Sequence, residues 1–238
     1  MSEFQTMQCE HDGITMKAFV ARPAGDGPFP AVMMFPGATG TGPTFEARAR
    51  ELAALGYLAI GIDVYGQGAD LTSPEAAGRE FMALLEAPET LRTRTLAWAN
   101  AIANRGDVAN TRIVALGYCF GGKCVLEMAR GGADVLAVIA YHGLLKTHAP
   151  ARSGEVKALI AAYCAGQDPY APLEDFDAFR QEMSDAGVNH HVTLFSNAQH
   201  SFTDPDHDGI QPGIAYDALS DRVSWAGTLA LLDHFLRS

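Results

Sequence analysis

Residues 115–124 read ALGYCFGGKC, and the apolar run Ile113-Val114-Ala115-Leu116 leads straight into them. A glycine stands two places before Cys119 and another two places after it. A strand that runs through Gly-x-Cys-x-Gly into a helix-like segment must turn sharply, with room for almost no side chain on either flank. The residue at the apex is then held in a strained conformation with its side-chain tip exposed, a position suited to a nucleophile. Taken alone, the same residues also fit a buried structural cysteine between two packing glycines. The rest of the chain has to decide.

At 238 residues the chain is long enough for a sizeable core, and a hydrophobic content of 48% with 12 phenylalanines describes a folded globular protein. The net charge of −11, with no lysine or arginine cluster, argues against nucleic acid, which wants a basic face. No apolar run approaches the ~18 residues of a membrane span, so no membrane partner is expected. The start MSEFQTMQCE lacks the charged and apolar regions of a signal peptide. Four cysteines at 9, 119, 124 and 164 do not read as a disulfide framework, and a reduced cytoplasm is the expected location.

Apolar runs and helical patterns alternate along the chain. ITMKAFVARP is expected as an edge strand, and AVMMFPG and YLAIGIDVYG as buried strands. Between the last two, Phe45, Ala49, Leu52 and Leu55 share one helical face closed by Gly56. Ser73-Pro74 is a helix start, a cap followed by proline at the first helical position. A further helix follows Pro88, carrying Leu91, Trp98 and Ile102. Beyond the Cys119 turn, VLAVIAYHG, ALIAAYCAG and HHVTLFSNA read as strands, with helices at LEDFDAFRQEMSDAG and along the closing ALSDRVSWAGTLALLDHFL. This alternation predicts an α/β fold, a mostly parallel sheet with helices on both faces, as one domain over 1–238. Chemistry in such sheets sits just after the strands.

Three post-strand loops carry reactive side chains. Cys119 follows RIVALGY, Asp168 lies in Gly-Gln-Asp-Pro after ALIAAYCAGQ, and His200 lies in Ala-Gln-His-Ser-Phe after HHVTLFSNAQ. Nucleophile, acid, histidine is the chain order of α/β-hydrolases. A thiol is only slightly ionised near neutrality and needs an imidazole to take its proton. The imidazole in turn needs a carboxylate to fix its tautomer. Alone, Asp168 before Pro169 also reads as a turn residue, and one histidine of eight near a strand end is unremarkable. The expected oxyanion hole uses the amides of Phe120 and of Ala38 in the loop FPGATG, which otherwise is an ordinary glycine-rich turn. The helix that starts at Cys119 points its positive end at the sulfur and favours the thiolate.

With GYCFGG at the turn, GQDPYAP around Asp168, AQHSF around His200 and the closing AYDALSDRVSWAGTLALLDHFL, nearly the whole chain resembles the dienelactone hydrolase family of α/β-hydrolases. The resemblance implies a cofactor-free, metal-free hydrolase with a Cys-His-Asp triad acting on small-molecule esters or lactones. Two departures bear on the substrate. The family's glutamate, which holds the resting cysteine neutral, has no counterpart in Phe35-Pro36-Gly37-Ala38-Thr39. Of two arginines that bind an anionic lactone, Arg79 is the nearest match to one, and Asp204 stands in place of the other. The expected substrate is therefore a neutral ester or lactone. Alternatives are dienelactone hydrolysis proper, a peptidase or acyltransferase on this fold, and a non-catalytic binding protein.

The remaining features have plainer readings. DPDHDG imitates half a calcium loop, but Ala215 stands where the twelfth-position glutamate belongs, so an acidic rim loop is expected. Cys124 and Cys164 read as packing. The Cys119–Cys124 spacing does not match a redox Cys-x-x-Cys. His142, just after a strand, reads as structural or pocket-lining. Phe81 and Trp98 read as an apolar lid wall or as helix packing.

Overall fold

In β3 (Phe29–Phe35) and β5 (Val108–Tyr118) successive side chains go to opposite faces of the sheet. Ala31, Met33 and Phe35, with Ile113 and Ala115, join one apolar core; Val32, Met34, Val114 and Leu116 join a second. Two cores require cover on both faces. The computed structural model describes residues 4–237; residues 1–3 and 238, the ends of the domain expected over 1–238, lie outside it.

The other strands are β1 (Gln5–His11), β2 (Ile14–Ala21), β4 (Leu58–Ile62), β6 (Ala137–Tyr141), β7 (Leu159–Ala165) and β8 (His190–Phe195). They form one sheet ordered β1-β2-β4-β3-β5-β6-β7-β8, parallel from β4 to β8 and antiparallel across β1, β2 and β4. Helices α1 (Pro43–Ala54) and α6 (Ala218–Leu236) cover one face through Phe45, Leu52, Trp225 and Leu232. Helices α2 (Pro74–Glu86), α3 (Pro88–Ala103), α4 (Phe120–Arg130) and α5 (Leu173–Asp185) cover the other through Leu84, Leu91, Leu126 and Phe179. Ser73 caps α2, its Oγ accepting from the Ala76 N–H at 3.1 Å, as expected of the Ser-Pro start.

One expectation is corrected. The strand Ile14–Ala21 is not at the edge, because β1 pairs outside it in full register from Gln5↔Val20 to His11↔Ile14. The mixed polar pattern of QTMQCEH suits an edge strand wet on one side, a weaker signal than a buried apolar run. Among the described residues no helix is long and apolar enough to cross a membrane.

Helix α4 carries a fully buried carboxylate. Glu127 accepts from Arg92 Nε at 3.1 Å, Arg130 Nη1 at 3.2 Å and Lys123 Nζ at 3.4 Å. Lys123 and Arg130 also donate to the carbonyls of Lys146 and Leu145, so the cluster fastens the loop after β6 onto α4. Burial raises the cost of the Glu127 charge, yet Arg130 and Lys123 outweigh it and hold the carboxyl below its ordinary range. Removing one partner of such a cluster leaves uncompensated buried charge. Glu127→Ala should therefore lower unfolding stability by about 3–5 kcal/mol. Urea melts of the two proteins with matching midpoints would contradict this.

Candidate active site

Cys119 closes β5 and precedes α4 with φ 54° and ψ −114°, a strained conformation for a non-glycine residue. The strain has a visible cause. A Cβ on Gly117 would fall 2.0 Å from the Gly121 carbonyl oxygen, and one on Gly121 would fall 2.0 Å from that of Phe35. The turn is packed backbone against backbone, and only glycine fits on either flank. The Cys119 N–H donates to the Tyr141 carbonyl at 3.0 Å, fixing the apex over the end of β6.

His200 and Asp168 are brought to the same place from the ends of β8 and β7. His200 Nδ1 lies 2.8 Å from Asp168 Oδ2, and both residues are buried. The second carboxylate oxygen, Oδ1, accepts from the amides of Tyr170 and Ala171 at 2.8 and 3.2 Å. One carboxylate oxygen of Asp168 thus holds its own turn and the other holds the His200 ring. The His200 backbone is fixed by bonds to the segment around Ile214: His200 N–H to the Gly213 carbonyl, and Ala215 N–H to the His200 carbonyl. Burial works against charge on the His200 ring. The Cys119 sulfur and the Asp168 carboxylate overcome it, and the pKa rises from the ordinary 6.5 to about 10.

A cavity of about 510 Å³ opens over Cys119 and His200. Ala38 lines it, and the Ala38 carbonyl accepts from the Tyr65 hydroxyl at 2.8 Å, which orients that loop. A Cβ on Gly37 would lie 3.7 Å from the Cys119 Cβ, so the FPGATG loop reaches the elbow. Phe120, as the first residue of α4, has an amide beyond the reach of intrahelical partners. Phe81 lines the cavity and packs edge-on against Phe120 at 5.1 Å. Trp98 does not join it there. It is a core residue whose Nε1 donates to the Asp63 carbonyl at 3.1 Å.

The two substrate-binding expectations fare differently. Arg79 is exposed on α2 and is not among the residues lining the cavity. Asp204 does line the rim. Its Oδ2 lies 2.6 Å from His207 Nδ1, and its Oδ1 accepts from the Asp206 amide. Asp206 accepts from Thr44 at 2.8 Å and Asp208 from the Tyr216 amide at 3.0 Å. The three aspartates have separate partners instead of converging, and no metal-binding cluster is found among the described residues. Arg48, not anticipated from sequence, also lines the cavity, with its charge engaged by Asp221 at 2.9 Å and Glu51 at 3.2 Å. Cys124 and Cys164 are buried, and burial pushes both thiols up, that of Cys164 to about 12.

A parallel sheet with an elbow after its central strand, and an acid and a histidine after the following strands, defines an α/β-hydrolase. The sequence profile of the dienelactone hydrolase family matches residues 16–236, and the chain belongs to that family. A relative from Salmonella typhi named "Putative carboxymethylenebutenolidase" is 25% identical over 227 residues, covering 90% of this chain and 83% of the relative. The solved structure titled "m3DLH" superposes with a TM-score of 0.90 at 28% identity, covering 98% of each chain. That of a dienelactone hydrolase-like promiscuous phosphotriesterase, P91, from metagenomic libraries gives 0.87 at 27%, covering 99% of this chain and all of that one.

Proposed function

We propose that this hydrolase cleaves small neutral esters or lactones through Cys119 as nucleophile, His200 as base and Asp168 as the group that orients His200. The observation that carries the reading is the buried Asp168–His200 pair beside a cysteine held at φ 54°. The Cys119 sulfur attacks the substrate carbonyl carbon and its proton resides on His200 Nε2. The carbonyl electron pair moves to oxygen, where the Phe120 and Ala38 amides donate. Collapse expels the alkoxide, which takes the proton from His200, and leaves an acyl thioester on Cys119. Water, deprotonated by His200, then releases the acid and restores the thiol. Quenching the enzyme with an activated ester should give a covalent acyl adduct at Cys119 by peptide mass mapping. An adduct at another residue, or turnover with none, would refute the nucleophile.

The resting thiol should also be reactive. The FPGATG loop supplies no acid to compete for His200, the amino end of α4 faces the sulfur, and the Cys119 sulfur and Asp168 favour an imidazolium at His200. Iodoacetamide alkylation should therefore stay faster than that of an ordinary thiol, which slows tenfold per pH unit below ~8.5. A profile that follows the ordinary thiol would count against the pair.

Preference for neutral substrates is supported by the rim. Arg79 is not among the residues lining the cavity, Arg48 is doubly paired, and Asp204 lines the rim. A carboxylate at about 5 Å from Asp204 meets roughly 3 kcal/mol of repulsion at an effective dielectric near 20, before screening. Screening at an open rim reduces this to about 1 kcal/mol, or roughly fivefold in rate. Asp204→Asn keeps the loop cap and removes the charge. It should raise kcat/KM for an anionic lactone relative to a neutral ester by about that factor. An unchanged ratio would show that Asp204 is not felt by the substrate.

A further inference from the structure

Behind the base lies a buried polar pair that the triad does not use. His142 follows β6 with φ 39°, left-handed and uncommon for a non-glycine residue. Its ring packs edge-on against His200 at 5.1 Å and Phe202 at 5.2 Å. Nε2 lies 2.8 Å from Thr203 Oγ1, whereas Nδ1 is buried with no partner among the described residues. Both His142 and Thr203 line the cavity. Burial first, and then the charge on His200, hold His142 well below the ordinary histidine range. The ring is neutral and carries one proton.

That proton has two places to sit. On Nδ1 it would be an orphaned buried N–H, rarer and costlier than an orphaned lone pair. On Nε2 it donates to Thr203 Oγ1. A hydroxyl that accepts there still has its own proton to give, and among the described residues nothing takes it. Thr203 is 5% exposed and lies in sequence between His200 and Asp204.

We infer that the Thr203 hydroxyl, oriented by His142, is an uncharged hydrogen-bond donor selecting acyl groups that carry an ether or carbonyl oxygen. The inference rests on the proposed chemistry at Cys119, which holds the acyl group in the cavity that Thr203 also lines. Thr203 touches substrate; His142 is a positioning residue that acts through it. Selectivity follows from asymmetry, because an all-carbon acyl chain leaves a buried donor unpaired.

The experiment compares aryl methoxyacetate and 3-methoxypropanoate with aryl butanoate and pentanoate, pairs of like size and leaving group. The ether-to-alkyl ratio of kcat/KM should fall roughly five- to thirtyfold in the isosteric Thr203→Val and stay near wild type in Thr203→Ser. His142→Phe should lower the same ratio, and adding it to Thr203→Val should change nothing more. If His142→Phe does not fold, the two Thr203 variants decide alone. Ratios equal in wild type and Thr203→Val for both ether esters overturn the inference. Cys119→Ala is run alongside: full turnover there would sink the nucleophile, a failure distinct from unmoved ratios in an enzyme that still depends on Cys119.

Discussion

Alanine at Cys119 or at His200 should each cut ester turnover on the order of 10⁴-fold, and the double variant should be no slower than either single one. The reason is that in the proposed mechanism the two groups share one proton and one step. Without the imidazole the sulfur has no partner to stabilise its charge or to protonate the leaving alkoxide; without the sulfur the imidazole has nothing to activate. What remains in each case is binding and the oxyanion donors, and these are the same in all three variants. Asp168→Asn should cost nearly as much, since Oδ2 holds His200 Nδ1 at 2.8 Å and an amide nitrogen there would face a donor. Cys124→Ala is the control. Cys124 is buried on the shaft of α4, its thiol pushed far up by burial, and most turnover should survive. Steady-state rates on one activated ester measure all of these. Losses that multiply in the double variant would mean that Cys119 and His200 do not act as a unit.

The parts of this site that were legible in the sequence are those set by short-range rules. Gly117 and Gly121 mark the elbow because a Cβ is sterically impossible there. Asp168 and His200 are findable because each lies just past an apolar strand, where an α/β sheet presents its chemistry. The strands β3 to β7 declared themselves by continuous burial on both faces. What the sequence hid depends on distance in space. Arg48 reaches the cavity from α1 and is neutralised by Asp221 on α6, a pairing across 173 positions with no local signature. His142 and Thr203 meet across 61 positions, and neither has a motif of its own. Whether Arg79 reaches the cavity is equally hidden, because distance along a helical excursion does not fix which way a helix face points. The outer strand β1 was missed because its polar alternation carries little apolar signal.

Gly121→Ala should abolish the native elbow, whereas Gly78→Ala should be harmless or better. At position 121 the added methyl would sit 2.0 Å from the Phe35 carbonyl oxygen and 2.6 Å from that of Pro36. Both obstacles are backbone, so no rotamer change relieves the clash; β3 and α4 must move apart. Overpacking where side chains can yield costs about 1–3 kcal/mol, and here the cost should reach or exceed the top of that range. Activity should fall further than stability. The same separation carries the Phe120 amide away from Ala38, and a misplacement of about 1 Å at reacting groups costs on the order of 10²-fold. Gly78 lies within α2 with nothing within 4 Å of an added Cβ. Alanine there gains helix propensity, about 0.5–1 kcal/mol. Denaturant midpoints and ester rates for the two variants separate a general intolerance of glycine replacement from a local one. A Gly121→Ala protein that melts with the wild type and keeps its rate would mean that the backbone contact between α4 and β3 does not build the site.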